Sequence, residues 1–160
     1  MKLKQSFLWW SFANGRVESE FLMQAAKKIG YEGIEFINHN YWQLAKDCGL
    51  KIVAIKGHES LTAGLNRREH WESLRKEILS NLELAATWNI PNLICFSGNR
   101  DGLNDETGVE ITAEHLRSIA KQAEDAGVTL VLELFNSKVD HKDYQCDRTA
   151  WGIKVCQIVN

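Results

Sequence analysis

One carboxylate, Glu133, stands near the end of an otherwise apolar stretch at 128–135. An apolar run of this length is typical of a central parallel strand that is covered on both faces. Side chains alternate along a strand, and the leucines of this run share one face: Leu130, Leu132 and Leu134. Glu133 would project from the opposite face, at the strand end where α/β folds place their active sites.

A buried carboxylate needs a metal ion, a network of hydrogen bonds or a raised pKa, because burial without a partner is costly. Glu133 is therefore a candidate for acid–base chemistry and for metal binding. The alternative is an ordinary strand-end glutamate that pairs with a neighbouring lysine or arginine.

Polar side chains also follow three other predicted strands. His58 comes after the third strand and could orient a substrate hydroxyl or carboxylate, and a hydrogen-bonded strand-end histidine is an equally good interpretation. Asn99 and Arg100 follow the fourth strand and could contact the substrate. An anionic substrate would favour Arg100, whose default is a solvated loop side chain. Glu35, near the end of the second strand, is interpreted first as a strand-end acid and second as support for the site.

The scaffold that must position these residues is predicted to alternate strands and helices. The predicted strands are 5–10, 31–37, 50–56, 91–97 and 128–135. The predicted helices are 21–29, 41–48, 68–88, one that ends at 126, and 149–159. Trp9 and Trp10 would lie on opposite faces of the first strand, so only one can enter the interior.

Glycines close three of the helix-to-strand junctions, as expected where short loops lead into a parallel sheet. Right-handed crossovers then leave an open doubly wound sheet or a closed eight-stranded barrel. No Gly-x-Gly-x-x-Gly follows the first strand, which argues against a dinucleotide fold. The sequence predicts one α/β domain over 1–160. Its strands are fewer than a barrel needs, so it is either a complete open sheet or the front part of a longer enzyme.

The composition excludes several classes of partner. The 160 residues are 44% hydrophobic and 25% charged, which suits a globular domain. A net charge of −2 without a basic stripe predicts no binding to nucleic acid. No apolar run approaches the roughly 20 residues of a membrane span. The four cysteines form no Cys-x-x-Cys pair, so we expect free thiols in a reducing cytoplasm.

Three stretches resemble the hydroxypyruvate isomerase family. They are GHESLTAGLN at 57–66, NLICFSGNR at 92–100, and 132–152, which begins LELFNSKVDH and ends YQCDRTAWG. They are long, specific and in the order of the family, and the chain is similar to this family from Trp9 onward. The resemblance implies a xylose-isomerase-like TIM (β/α)8 barrel of the sugar isomerase and epimerase superfamily. Residues 1–160 would form its N-terminal portion, an incomplete barrel of about five βα units that ends before the sixth strand.

The resemblance also implies a reaction, the isomerisation of hydroxypyruvate to tartronate semialdehyde, a small carbonyl compound, through an enediolate. Such chemistry needs a base, an acid opposite it and a group that stabilises the oxyanion. Glu133 occupies the position of the strand-five glutamate of the family, which does acid–base work and contacts a divalent cation. Its hard oxygens suit Mg²⁺ or Mn²⁺. Asn136 and His141, in the following loop, would cover the substrate. The other metal ligands of the family and its second catalytic glutamate come from strands six to eight.

Two further interpretations stay open. One is a catalytically inactive partial barrel that self-associates or pairs with a complementary chain, because an incomplete barrel leaves two strand edges and an apolar inner face uncovered. The other is the endonuclease branch of the same superfamily. The acidic balance of the chain and the missing metal ligands disfavour it.

Overall fold

Five parallel strands form one sheet in the computed structural model, which describes residues 3–159. The strands are β1 Ser6–Leu8, β2 Gly33–Glu35, β3 Lys51–Lys56, β4 Asn92–Cys95 and β5 Thr129–Leu132. Each strand pairs in parallel with the next one along the chain, so the order in space is β1-β2-β3-β4-β5. The predicted α/β architecture of about five βα units is confirmed.

Six α-helices and one 3-10 helix alternate with these strands. They are α1 Trp9–Phe12, α2 Ser19–Ile29, the 3-10 helix His39–Tyr41, α3 Trp42–Asp47, α4 Arg68–Trp88, α5 Asp105–Ala126 and α6 Thr149–Val159. The predicted limits of α4 and α6 and the predicted end of α5 are confirmed. Asn104 caps α5, because its side chain accepts a hydrogen bond from the backbone N–H of Thr107. None of these helices, within residues 3–159, is long and apolar enough to cross a membrane.

All five strands are shorter than predicted, and the structure shows the reason in the first two. The pairing of β1 stops at Leu8, and the chain then turns into α1. Trp9, in this helical turn, is buried, and Trp10 is 66% exposed. Only one of these two tryptophans therefore enters the interior, as expected. In β2 the ladder ends where Phe36 takes a positive φ of 53°, a conformation that a strand cannot continue through.

The core lies between the outer face of the sheet and the helices. Ile34 and Leu93 on the strands and Ile78 and Ile119 on the helices have no exposed surface. The inner face of the sheet instead borders an open cavity of about 540 Å³. Side chains from all five strands line this inner cavity, among them Ser6, Glu35, Val53, Ile94 and Val131.

The strand β5 lies at an edge, so the prediction of a central strand covered on both faces is wrong for the described residues. Within residues 3–159 it pairs with β4 alone. Leu130 and Leu132 are half-buried in a groove beside α5 and α6, and Leu134 is 42% exposed. The leucine face therefore does point toward helices, but they cover it incompletely.

Candidate active site at the ends of the strands

Glu133 lies directly after β5 and keeps the geometry of the strand. Its backbone N–H donates a hydrogen bond to the carbonyl oxygen of Cys95 over 3.1 Å. Val131, two residues earlier and thus on the same face, lines the inner cavity. The structure therefore places Glu133 at the C-terminal end of the strand, on the face that borders this cavity.

The surroundings of Glu133 raise the pKa of its carboxyl group above the ordinary value. Burial is the largest cause, the negative charge of Glu35 adds to it, and His141 acts in the opposite direction. Within the described chain no hydrogen bond to the Glu133 carboxylate is present. A half-buried carboxylate with a raised pKa is better able to accept and return a proton near neutral pH than an ordinary surface glutamate is.

Glu35 is a second carboxylate on the inner face. The Ser6 hydroxyl donates a hydrogen bond to its Oε1 atom, which connects the start of β1 to the end of β2. The register of β2 and β3 shifts between Ile34 and Glu35, so that Glu35 lies opposite Ala54. The sequence favoured a simple strand-end acid here, but the structure places its charge close enough to Glu133 to affect the pKa of that residue.

The loop after Glu133 brings His141 close to that residue, and it holds the side chain of Asn136 elsewhere. The His141 ring lies against the Phe135 ring, with centroids 4.4 Å apart, and its backbone N–H donates to the carbonyl oxygen of Asn136. The side chain of Asn136 is exposed and accepts a hydrogen bond from the backbone N–H of Lys138. Of the two predicted covering residues, His141 is thus the one whose charge acts on Glu133.

Tyr144 belongs to the same site, although the sequence analysis did not select it. Its hydroxyl accepts a hydrogen bond from the backbone N–H of Ser97 at 2.9 Å and donates one to the carbonyl oxygen of Glu133 at 3.0 Å. The side chain is 1% exposed. Burial raises the pKa of this phenol far above its ordinary value, so the hydroxyl stays protonated.

His58 takes the structural role that the sequence left open. It has no exposed surface, and its Nε2 atom accepts a hydrogen bond from the backbone N–H of Phe96. Burial lowers the pKa of the imidazole to about 4, so the ring is neutral at physiological pH. His58 is not among the residues that line the inner cavity.

Arg100 binds protein groups with its whole guanidinium. Its nitrogens contact the carboxylates of Asp105 and Asp147 at 3.3 and 3.0 Å, and they donate to the carbonyl oxygens of Tyr144 and Gln145. An anionic substrate would have to compete with these partners. Its neighbour Asn99 is held through its backbone, which donates to the carbonyl oxygen of Thr62.

Two buried amides connect the loops that follow β3, β4 and β5. The Asn66 side chain donates to the carbonyl oxygen of Asn99 and to Oε1 of Gln145. Gln145 in turn donates to the backbone carbonyl of Asn104, at the start of α5. Gly108 leaves the room for it, because a Cβ atom there would clash with the Gln145 amide. The loops around Glu133 are therefore fixed to one another by buried hydrogen bonds.

The described residues do not make a cation site. Within residues 3–159 no three side chains of histidine, cysteine, aspartate or glutamate are grouped so that they could hold a metal ion. The expected Mg²⁺ or Mn²⁺ would therefore find fewer than three such ligands in this part of the chain.

Comparisons with known proteins agree with the fold described above. A family profile described as "Xylose isomerase-like TIM barrel" matches residues 23–153. Among solved structures, the chain is similar to an AP endonuclease of family 2 from Brucella melitensis, with a TM-score of 0.79 and 17% identity. It is similar to the IolI protein with a bound zinc atom, with a TM-score of 0.77 and 15% identity. It is also similar to D-psicose 3-epimerase with D-tagatose from Clostridium cellulolyticum H10, with a TM-score of 0.70 and 15% identity.

Each of these similarities covers 99% of this chain but only 65%, 59% and 60% of the respective structures. The chain therefore spans about three fifths of the length of these relatives. At such identities the similarity concerns the fold alone. No curated protein sequence matches the chain.

Proposed function

Since the chain belongs to the xylose isomerase-like TIM barrel family, we propose that it provides the proton-transferring glutamate of an isomerase. The substrate that we propose is a small hydroxy-keto acid of the hydroxypyruvate type, converted to its aldehyde isomer, tartronate semialdehyde. The supporting observation is Glu133 itself, a half-buried carboxylate with a raised pKa at the end of a strand, on the same strand face as Val131, which lines the inner cavity.

In this proposal the Glu133 carboxylate removes a proton from the carbon that carries the hydroxyl group. The electron pair of that C–H bond forms the double bond of an enediolate, and the former carbonyl oxygen takes the negative charge. Protonated Glu133 then returns the proton to the neighbouring carbon. A second proton moves from the hydroxyl oxygen to the former carbonyl oxygen, which completes the aldehyde and the new hydroxyl group.

His141 is the described residue best placed to hold a substrate oxygen during this transfer, because it lies beside Glu133 and at the surface of the loop. The zinc atom in the IolI structure and the hard oxygens of Glu133 support a divalent cation in the complete site. Its further ligands would come from outside residues 3–159, so no step above is assigned to it.

The test is Glu133→Gln with hydroxypyruvate as the substrate, followed by NMR of the product. Loss of the base should lower turnover at least about 100-fold while the fold stays intact. Glu83→Gln, at an exposed position of α4, is the matched control and should leave turnover unchanged. Equal turnover in wild type and Glu133→Gln would remove Glu133 from the mechanism.

A second candidate function is supported by the uncovered surfaces at the two ends of the sheet. In the described chain β1 and β5 each have one unpaired edge. Apolar side chains are exposed on the helices at these ends, such as Phe21 and Ile29 on α2 and Ile153 on α6. A partial barrel of this kind would associate through these edges, with a second copy or with a complementary chain.

Light scattering coupled to size-exclusion chromatography tests this candidate. The wild-type chain should elute as a dimer or larger, and Leu132→Lys, in the groove beside β5, should shift it toward monomer. Val139→Lys, at an exposed position of the loop after β5, is the control. A soluble wild-type monomer that binds no apolar dye would contradict association. If such a monomer also failed to isomerise hydroxypyruvate, neither candidate would hold for this chain alone.

A further inference from the structure

The hydrogen bonds between β4 and β5 contain an interruption at Glu133. In a parallel ladder, one residue bonds to the two residues that flank its partner on the other strand. Glu133 makes the first of these bonds, from its N–H to the carbonyl oxygen of Cys95. The second would run from the N–H of Ser97 to the carbonyl oxygen of Glu133.

The Tyr144 hydroxyl stands in the place of that second bond. It accepts from Ser97 N–H at 2.9 Å and donates to the Glu133 carbonyl oxygen at 3.0 Å, so one oxygen atom separates two groups that would otherwise pair directly. The ends of β4 and β5 are therefore spread apart by a side chain, at the residue that carries the carboxylate.

The position of this hydroxyl is fixed from several sides. The Tyr144 ring packs edge-on against Phe135, with centroids 4.8 Å apart. Its backbone N–H donates to His141, and its carbonyl oxygen accepts from the Arg100 guanidinium at 2.6 Å. Because the ring is buried and both backbone groups are bonded, the hydroxyl cannot shift without moving the loop.

We propose that Tyr144 is the positioning residue of Glu133: its hydroxyl sets the spacing between the ends of β4 and β5 and thereby the direction in which the Glu133 carboxylate leaves the strand. The inference rests on the proposed function of Glu133. It assigns Tyr144 no contact with substrate. Its effect is to hold the reacting carboxylate in place, where a displacement of about 1 Å can cost about 100-fold in rate.

Tyr144→Phe removes only the hydroxyl and is the first test. We expect the Ser97 amide proton and the Glu133 carbonyl carbon to shift in the NMR spectrum, because both lose their partner. With hydroxypyruvate, kcat should fall about 10-fold to 100-fold while KM changes less than about twofold. Tyr41→Phe is the matched control, since among the described residues its hydroxyl has no hydrogen-bond partner and its ring packs on Trp9.

The outcomes separate this inference from the proposed function. If Glu133→Gln leaves turnover unchanged, the proposed function fails, and the role of Tyr144 for catalysis fails with it, whatever the NMR shifts. If Glu133→Gln abolishes turnover while folded Tyr144→Phe keeps the wild-type kcat, only the positioning role is overturned. Unmoved Ser97 and Glu133 resonances would overturn it as well.

The wild-type chain provides a second measurement in case Tyr144→Phe does not fold. A buried hydroxyl held in two hydrogen bonds should give a slowly exchanging proton signal, with a nuclear Overhauser effect to the Ser97 amide. Its presence supports the bridge between the strands, and rapid exchange with solvent would contradict it.

Discussion

The Nε2 atom of His58 accepts a hydrogen bond from the backbone N–H of Phe96 over 3.0 Å, which connects the chain after β3 to the chain after β4. The bond requires an unprotonated Nε2, and the rings of the two residues also pack edge to face, with centroids 5.3 Å apart. Burial lowers the pKa of His58 from 6.5 to about 4, because the charged form would lose its solvation.

This lowered pKa predicts how stability depends on pH. A histidine whose pKa is lower in the folded than in the unfolded state favours folding above its unfolded pKa, and it loses that contribution as the pH falls. The free energy of unfolding of the wild type should therefore decline between pH 6.5 and about 4. His58→Gln should be less stable at pH 7 but lose less stability over this range. Thermal unfolding at several pH values measures this pH dependence, and His39→Gln, at an exposed position, is the control. Parallel curves for His58→Gln and wild type would contradict the prediction.

Arg100 should matter more for stability than other arginines do, since its side chain is only 23% exposed and joins two loops to the start of α5. Arg100→Gln should lower the free energy of unfolding by about 2 kcal/mol, because Asp147 and two carbonyl oxygens each lose a donor.

The control is Arg68→Gln, which breaks a pair with Glu114 in which both side chains are more than half exposed. It should cost less than about 1 kcal/mol. Urea denaturation of the wild type and the two variants measures these changes. Equal losses of stability in the two variants would mean that the Arg100 contacts contribute no more than an exposed ion pair does.

Two glycines inside helices should respond in opposite ways to the same substitution. Gly108→Ala places a Cβ atom against the Gln145 amide, which has no exposed surface and is held by hydrogen bonds, so we expect a loss of about 1–3 kcal/mol. Gly152→Ala meets its nearest atoms, on Leu134 and Cys146, at 3.6 and 3.7 Å, which is ordinary contact. It should gain up to about 1 kcal/mol from better helix propensity. The same denaturation experiment checks both, and a stabilised Gly108→Ala would show that Gln145 moves aside easily.

The helices were predicted more accurately than the strands, for a physical reason. The apolar residues of α4 repeat with the helical period, and Leu74, Ile78, Leu82 and Ala85 are buried while Trp71, in the same stripe, is half-buried. The strand predictions followed apolar residues, but burial does not require pairing. Trp9 is buried from a helical turn, and the positive φ of Phe36 ends β2 inside an apolar run. The neighbours of β5, which decide whether it is central, are not encoded in its own residues.

The candidate site, like the strands, could be predicted only where local sequence rules determine it. The side of β5 on which Glu133 lies follows from alternation, a local rule that the sequence carries. Asp105 lies close to Arg100 in the sequence, but its other partners, Tyr144, Gln145 and Asp147, lie in the loop after β5, and a local sequence window cannot reveal them. Tyr144 was missed because its role depends on how the loop folds back. The available signal was one aromatic residue in a strongly polar loop segment, HKDYQCD.

The order β1-β2-β3-β4-β5 has a consequence for biosynthesis. Each strand after β1 finds its first neighbour among residues that the ribosome has already released, so the sheet can grow one unit at a time from the N-terminus, without waiting for distant segments. The Tyr144 hydroxyl reaches β4 and β5 only after both strands have been made. During translation the two strand ends can therefore meet before the group that separates them arrives.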